Sequence, residues 1–304
     1  VFFFDNLDDG LCKKIKRISN YCLIVVSKSG ETLETITNFS ILFSKFSLKN
    51  KLVFITEIKD SSLIEIANKT KAEIIEHKSY IGGRYSVLSE VGMFPAALMG
   101  LDIKKFANLK KLISNNFFVS TLIKNVATIY SLSEQGFKNS IILNYDSGSN
   151  YLGYWYQQLV GESLGKNKKG IMPILSFGPK DHHSLLQLYL DGPRNNFFTF
   201  INFKEKKNKP KILNRAIPSS MNFLKYKNLG FIINSQCSAV KKAFKKKKIP
   251  FRQITLKNKN EKELGEIITF FVLETILLSK LMNVNPFDQP AVEEVKIETK
   301  KFLK

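Results

Sequence analysis

Short apolar runs alternate with amphipathic stretches along nearly the whole chain, and that alternation limits the fold more than any other feature. "CLIVVS" (22–27), "KLVFITE" (51–57) and "AEIIEH" (72–77) have the length and apolar continuity of buried strands. Helical periodicity fills 31–46 and 61–68 between them. Strand–helix–strand order of this kind predicts a parallel sheet covered by helices on both faces. Two further helical stretches follow, near 86–99 and 104–134. The alternation then resumes, with strands expected over 140–145, 171–177, 197–202, 230–234 and 251–257. Helices are expected over 148–164, 181–190, 219–228, 236–246, 260–282 and 288–303. The opening residues, Val1–Phe4, also read as a strand. The fold class is therefore α/β, in two successive units that split near 115–138, with no exact internal repeat.

At 304 residues and 44% hydrophobic content, the chain is long enough for two cores. No window is apolar enough to cross a membrane. No basic segment precedes the apolar start and no small-residue cleavage site follows it, so no signal peptide is read. Three cysteines, Cys12, Cys22 and Cys237, are too few and too scattered for a disulfide framework or a metal site, which suits a reducing cytoplasm. The net charge of +21 raises nucleic-acid binding. The lysine runs "KEKKNKPK" (204–211) and "KKAFKKKK" (241–248) lack interleaved aromatics, however, and read as solvated faces or loops. No nucleic acid and no membrane is expected as a partner; the charge suits an anionic substrate.

In a parallel sheet, ligands sit beyond the carboxyl ends of the strands. "SKSGET" stands at such an end, where a helix begins and backbone N–H groups are unpaired. Ser27, Ser29 and Thr32 add hydroxyls, Lys28 a charge, and Gly30 close backbone approach. A phosphate is the natural guest. A plain helix cap by Ser29 is the simpler alternative, although three hydroxyls in six residues exceed what a cap needs. The pattern of a nucleotide loop is missing.

Four more segments carry chemistry. "IGGRYSVLSEVG" (81–92) has two glycines, which suggest a tight turn at a strand end, and then Arg84, whose planar guanidinium suits a phosphate or a developing oxyanion; an ordinary turn with a surface arginine is the alternative. "YLGYWYQQLVGESLGK" (151–166) places Gln158 and Glu162 four apart on one helix face, flanked by Trp155 and Leu159. A carboxylate with a raised pKa there would serve as a base, although spacing alone favours an ordinary surface glutamate near a helix end. In "GPKDHHSLLQLYLDGP" (178–193), Asp181 caps a helix and one of His182 and His183 falls in its first turn. Two adjacent histidines cannot face the same way, so one is structural or faces solvent. "NPFDQPAVEEVKIETK" (285–300) starts a helix at Pro290, with Gln289 and Lys296 seven apart on one face.

Together these blocks, in this order and over nearly the whole chain, resemble the glucose-6-phosphate isomerase family in its bacterial form. The resemblance implies two sugar-isomerase domains, 1–115 and 116–282, followed by a C-terminal helix in 283–304 that carries the Gln/Lys motif. It implies interconversion of glucose 6-phosphate and fructose 6-phosphate through ring opening and a cis-enediolate, with no metal or organic cofactor. Matched motif to motif, Ser27, Ser29 and Thr32 fall on the family's phosphate-binding hydroxyls, with Lys28 contributing backbone. Glu162 falls on the base, Arg84 on the group that stabilises the enediolate, and Gln158 and Gln289 on substrate-contacting glutamines. His183 and Lys296 fall on the ring-opening pair, and the family's homodimer supplies His183 from the neighbouring subunit. The family also has an N-terminal segment, with a glycine-rich loop and a serine, that has no counterpart before "VFFFDN". The first domain is thus expected to be incomplete, and these 304 residues alone to be weak or inactive. A non-catalytic sugar-phosphate regulator would keep the hydroxyl loop but would not need Glu162, His183 and Lys296. An isomerase that also accepts mannose 6-phosphate would share every motif.

Overall fold

The computed structural model describes residues 1–8, 21–45, 51–107, 109–203, 210–213 and 217–304. Cys12 and most of the lysine run 204–211 lie outside the described residues. The chain divides into two compact units, Val1–Lys104 and Lys105–Lys304.

In the first unit, β1 (Cys22–Val26), β2 (Lys51–Thr56) and β3 (Glu73–Glu76) form a parallel sheet in the order β1-β2-β3. The central strand is the most apolar, and Phe54 and Ile55, which point to opposite faces of the sheet, are both fully buried. Helix α1 (Leu33–Lys45) packs Phe39 edge-on against Phe54, with ring centroids 5.2 Å apart. Helix α2 (Ser62–Thr70) adds Leu63 and Ala67 to the same core. The stretch expected as a helix over 86–99 divides into a 3-10 segment, Gly83–Leu88, and α3 (Glu90–Leu98). Gly92 permits their close approach: a Cβ there would lie 2.0 Å from the Val87 carbonyl oxygen.

In the second unit, β4 (Asn139–Asn144), β5 (Met172–Phe177), β6 (Asn196–Phe203) and β7 (Phe251–Leu256) are all parallel, in the order β5-β4-β6-β7. The chain leaves β4 for one neighbour and returns past it to the other, so the strand order reverses beside β4. The sheet is covered on both sides. On one side α8 (Leu229–Lys246) sets Phe244 4.6 Å from Phe198, with Ile141, Leu143 and Tyr189 in the same core. The short α7 (Leu186–Asp191) supplies Tyr189. On the other side lie α5 (Asn116–Glu134), α6 (Asn150–Leu164) and α9 (Glu261–Leu281), where Tyr156 and Phe271 meet at 4.7 Å. Arg252 of β7 is half-buried there and makes a two-pronged bond to the buried Glu274 of α9. It also donates to Thr199 at 2.9 Å and to Asn125 at 3.2 Å.

Several expected elements differ. Val1–Phe4 is irregular, with Phe2 and Phe3 exposed. "GFIIN" (230–234) is the first turn of α8, because Asn228 caps that helix by accepting the Phe231 N–H at 2.7 Å. The stretch 219–228 is a 3-10 segment, Ser219–Leu224, followed by an irregular turn. The stretch 104–134 breaks into Ile103–Lys105, α4 (Leu109–Ile113) and α5; Asn115 starts the last by accepting from Phe117 and Phe118. Residues 180–183 are a 3-10 turn ahead of α7. Gln289 precedes a 3-10 turn, Pro290–Val292, before α10 (Glu293–Phe302). Among the described residues, no helix is long and apolar enough to cross a membrane.

Candidate active site

The hydroxyl loop follows directly from the end of β1. Ser27 is buried, and its Oγ shares a hydrogen bond of 2.8 Å with Thr32 Oγ1. The Gly30 N–H donates to Ser27 Oγ at 3.2 Å, and the Glu31 N–H donates to Ser29 Oγ at 3.2 Å. Ser29 therefore closes a local turn rather than capping α1. Thr32 holds the cap position, since its carbonyl accepts the Ile36 N–H at 3.0 Å. Ser29 and Thr32 are exposed. The loop depends on Gly30: its φ is +72°, and a Cβ would lie 2.3 Å from Ser61 Oγ.

The Lys28 ammonium is not offered to a guest at this loop. It donates to the Ser79 carbonyl at 2.8 Å and lies 3.6 Å from Glu57, which also holds Lys59 at 2.6 Å. Burial pushes the Glu57 carboxyl up, but Lys59 and Lys28 outweigh it and hold the group below the usual carboxylate range. What Lys28 leaves to the loop is backbone.

Arg84 is buried in the Gly83–Leu88 segment, with its guanidinium 5.3 Å from the Tyr85 ring centroid. The paired glycines are not the tight turn expected of them. Gly82 has an ordinary extended backbone, and a Cβ on Gly83 would meet no protein atom within 4 Å.

In the second unit, Gln158 Nε2 donates to Glu162 Oε1 at 3.1 Å on α6. Leu159 faces the core, Gln158 is exposed, and Glu162 is half-buried. Lys166 holds the end of this helix. Its Nζ donates to the carbonyls of Glu162 at 2.8 Å, Ser163 at 3.1 Å and Asn285 at 2.6 Å, and lies 3.3 Å from Asp288. Two of those oxygens are carbonyls that the helix itself leaves unpaired. The others belong to the loop that leads into Gln289, so one ammonium joins the turn bearing Glu162 to that loop. Lys166 is a residue that sequence reasoning missed, because its partners Asn285 and Asp288 lie far along the chain and leave no local signal.

The histidine turn sits at the carboxyl end of β5, beside the strand reversal, where a ligand crevice is expected. Asp181 anchors it by accepting from Ser176 Oγ at 2.8 Å, the Phe177 N–H at 2.7 Å and Ser184 Oγ at 3.3 Å. Burial opposes the charged carboxylate, yet these bonds keep its pKa below the usual range. His182 turns inward, with Nε2 2.6 Å from the Tyr145 hydroxyl, while His183 is exposed. The pKa of His182 is lowered by burial first and by His183 second, with Asp181 opposing. Burial also pushes the Tyr145 hydroxyl up.

Within this unit, Glu162 and His183 stand apart. β4 and β5 are parallel neighbours, so α6 between them runs back against the strands. Its 15 residues span roughly 22 Å. Glu162, near the end of α6, lies toward the amino ends of the strands, and His183 lies at their carboxyl ends. Gln289 is exposed ahead of the 3-10 turn, not on a shared helix face with Lys296. Lys296 is exposed and pairs with Glu293 at 2.5 Å. Ser27, Lys28, Ser29, Thr32 and Arg84 belong to the first unit, and Gln158, Glu162, His183, Gln289 and Lys296 to the second.

Comparison with known proteins gives this arrangement a family. A profile of phosphoglucose isomerase matches residues 1–304. Glucose-6-phosphate isomerase of Methanocaldococcus jannaschii is 34% identical over 309 residues, covering 97% of this chain and 76% of that protein. Among solved structures, a hypothetical protein from Thermus thermophilus superposes with a TM-score of 0.84 at 24% identity, over 92% of this chain and 71% of that one. A glucose-6-phosphate isomerase from Chlamydia trachomatis superposes with a TM-score of 0.71 at 19% identity, over 92% of this chain and 58% of that one. At such identities the two structural likenesses speak to the fold.

Proposed function

The chain belongs to the phosphoglucose isomerase family, and on that premise we propose that Glu162 is the base that moves a proton between C1 and C2 of its substrate. The activity is the interconversion of glucose 6-phosphate and fructose 6-phosphate. The match across residues 1–304 is the observation that carries it. The assignment of roles to side chains is our reading, as is the division into sugar-isomerase domains at 1–115 and 116–282 with a C-terminal segment at 283–304.

The phosphate is bound by the hydroxyls of Ser27, Ser29 and Thr32 and by backbone at Lys28. The Ser27–Thr32 bond and the bond from the Glu31 N–H to Ser29 support this, since they hold the hydroxyls in place before a guest arrives. The dianion anchors one end of the sugar, remote from the carbons that react. His183 and Lys296 open the ring by exchanging protons with the ring oxygen and the anomeric hydroxyl. The Lys296–Glu293 pair is exposed and therefore weak, so substrate can replace Glu293. Glu162 then takes the proton from one carbon and returns it to the next. Gln158, bonded to Oε1, orients the carboxylate, and Gln289 contacts the substrate. Charge develops on the enediolate oxygens, and Arg84 stabilises it there.

His183 is supplied by the second copy in a homodimer. Two observations support that reading: the exposure of His183, and its place at the opposite end of the second unit's sheet from Glu162. We place the reaction in the reducing cytoplasm, where Cys22 and Cys237 remain free thiols.

The test is a coupled assay on fructose 6-phosphate with the complete enzyme and its Glu162→Gln variant. The expected loss is about 10²–10⁴-fold in kcat with KM little changed. Full activity in the variant would remove the assignment.

A further inference from the structure

The remaining histidine, His77, has no role in the reaction described above, yet it is among the most buried polar residues of the chain at 2% exposure. It directly follows β3, and its backbone N–H continues the ladder by donating to the Thr56 carbonyl at 2.8 Å. Its ring uses both nitrogens. Nδ1 meets the Glu90 carboxylate, and Nε2 lies 3.0 Å from the Ile81 carbonyl oxygen.

These two partners bracket one segment. Ile81 immediately precedes Gly82 and Gly83, and Glu90 begins α3 just beyond the 3-10 segment. Arg84 lies between them. One imidazole thus ties both ends of the arginine-bearing segment to the end of a strand. Lys28 adds a second tie from the hydroxyl loop, through its bond to the Ser79 carbonyl at 2.8 Å.

The segment needs such ties. Two consecutive glycines give it more backbone freedom than any other pair would. Burying a histidine and a carboxylate is not a strong source of stability, because apolar residues of similar volume commonly do as well. What the pair supplies that an apolar pair cannot is direction: two hydrogen bonds that fix where the segment begins and ends.

We propose that His77 and Glu90 are positioning residues for Arg84, holding the segment in the register that aims its guanidinium at the enediolate. The inference rests on the role given to Arg84 above. A misplacement of about 1 Å at such a group lowers turnover by up to roughly 10²-fold while leaving ground-state binding largely intact.

The experiment measures kcat, KM for fructose 6-phosphate and Tm in the complete enzyme. The variants are His77→Phe, Glu90→Ala, Glu90→Gln and Arg84→Ala. His77→Phe keeps the ring's bulk and loses both hydrogen bonds. Glu90→Gln keeps an oxygen acceptor for Nδ1; Glu90→Ala does not. The expected result is a fall in kcat of about tenfold or more for His77→Phe and Glu90→Ala, with KM within about twofold of wild type. Glu90→Gln is expected to recover most of the loss. Wild-type kcat in folded His77→Phe and Glu90→Ala overturns the proposal. So does a decline in which kcat, KM and Tm worsen together and Glu90→Gln rescues nothing. Should His77→Phe fail to fold, the Glu90 variants decide by the same criteria, since that side chain is 22% exposed and better tolerates change. Wild-type kcat in Arg84→Ala would remove the role of Arg84 itself. Impaired Arg84→Ala beside unimpaired His77→Phe and Glu90→Ala would remove only the positioning claim.

Discussion

Two adjacent histidines illustrate how closely role follows environment. His183 faces solvent, whereas His182 is drawn inward onto Tyr145. Burial and the neighbouring His183 lower the pKa of His182 below its ordinary value of 6.5. In the unfolded chain that depression is absent, so the unfolded state binds more protons once the pH falls below about 6.5. The contribution is therefore fully present above that value and is lost as the pH falls through it toward the folded pKa. Thermal melts from pH 7.5 to 5 are predicted to show Tm declining with acidity, and His182→Phe is predicted to flatten the decline. An unchanged slope would show that His182 does not carry it. Which histidine turned inward was not legible in the sequence. Its partner, Tyr145, is 37 residues away, on another strand's end. The hydroxyl loop was legible because Ser27, Gly30 and Thr32 interact at a separation of no more than five positions. Lys166 and His77 were not, since their partners are decided by tertiary packing; Lys166 reaches Asn285, 119 residues on.

Strands were legible as elements because a parallel strand buried on both faces reads as an unbroken apolar run, as in "KLVFIT". The same rule misassigned "GFIIN", where three apolar residues in a row are the half-exposed first turn of α8. The corrective signal was Asn228, a capping residue directly ahead of the run. Helix boundaries around the site fared worse, because 3-10 turns at 83–88, 180–183 and 290–292 have no periodicity long enough to read. The end of α6 shows what such boundaries do. A lysine ammonium satisfies the carbonyls of Glu162 and Ser163 and fastens the helix to the loop before Gln289. Lys166→Met keeps the stem and removes the ammonium. It is predicted to lower stability by about 1–3 kcal/mol, the worth of charge-assisted hydrogen bonds to carbonyls left unpaired. It is also predicted to lower kcat, because Glu162 sits on the released turn. Denaturant unfolding and steady-state kinetics on the same preparation check both; a variant unchanged in either contradicts this account of the helix end.

For the whole molecule, topology imposes a requirement that no single motif contains. A crossover helix between two parallel strands returns its end to the sheet edge opposite the strand tips. Glu162 and His183 therefore occupy opposite ends of one unit, although the roles proposed for them need both at one sugar. A symmetric dimer resolves this if each copy lends its histidine to the other. Mixing inactive Glu162→Gln and His183→Ala subunits then restores one intact site in each mixed dimer. After random reassortment about a quarter of wild-type activity is predicted; no recovery would place both groups in one chain's site.

The claim on which the rest depends is that the carboxylate of Glu162 carries the proton between adjacent carbons. Incubating fructose 6-phosphate with the complete enzyme in deuterated water and following deuterium into C1 of the recovered sugar phosphate tests it directly. The account predicts steady incorporation by the wild type and none above background for Glu162→Gln, with phosphate-ester binding retained. Incorporation by that variant at the wild-type rate would contradict it.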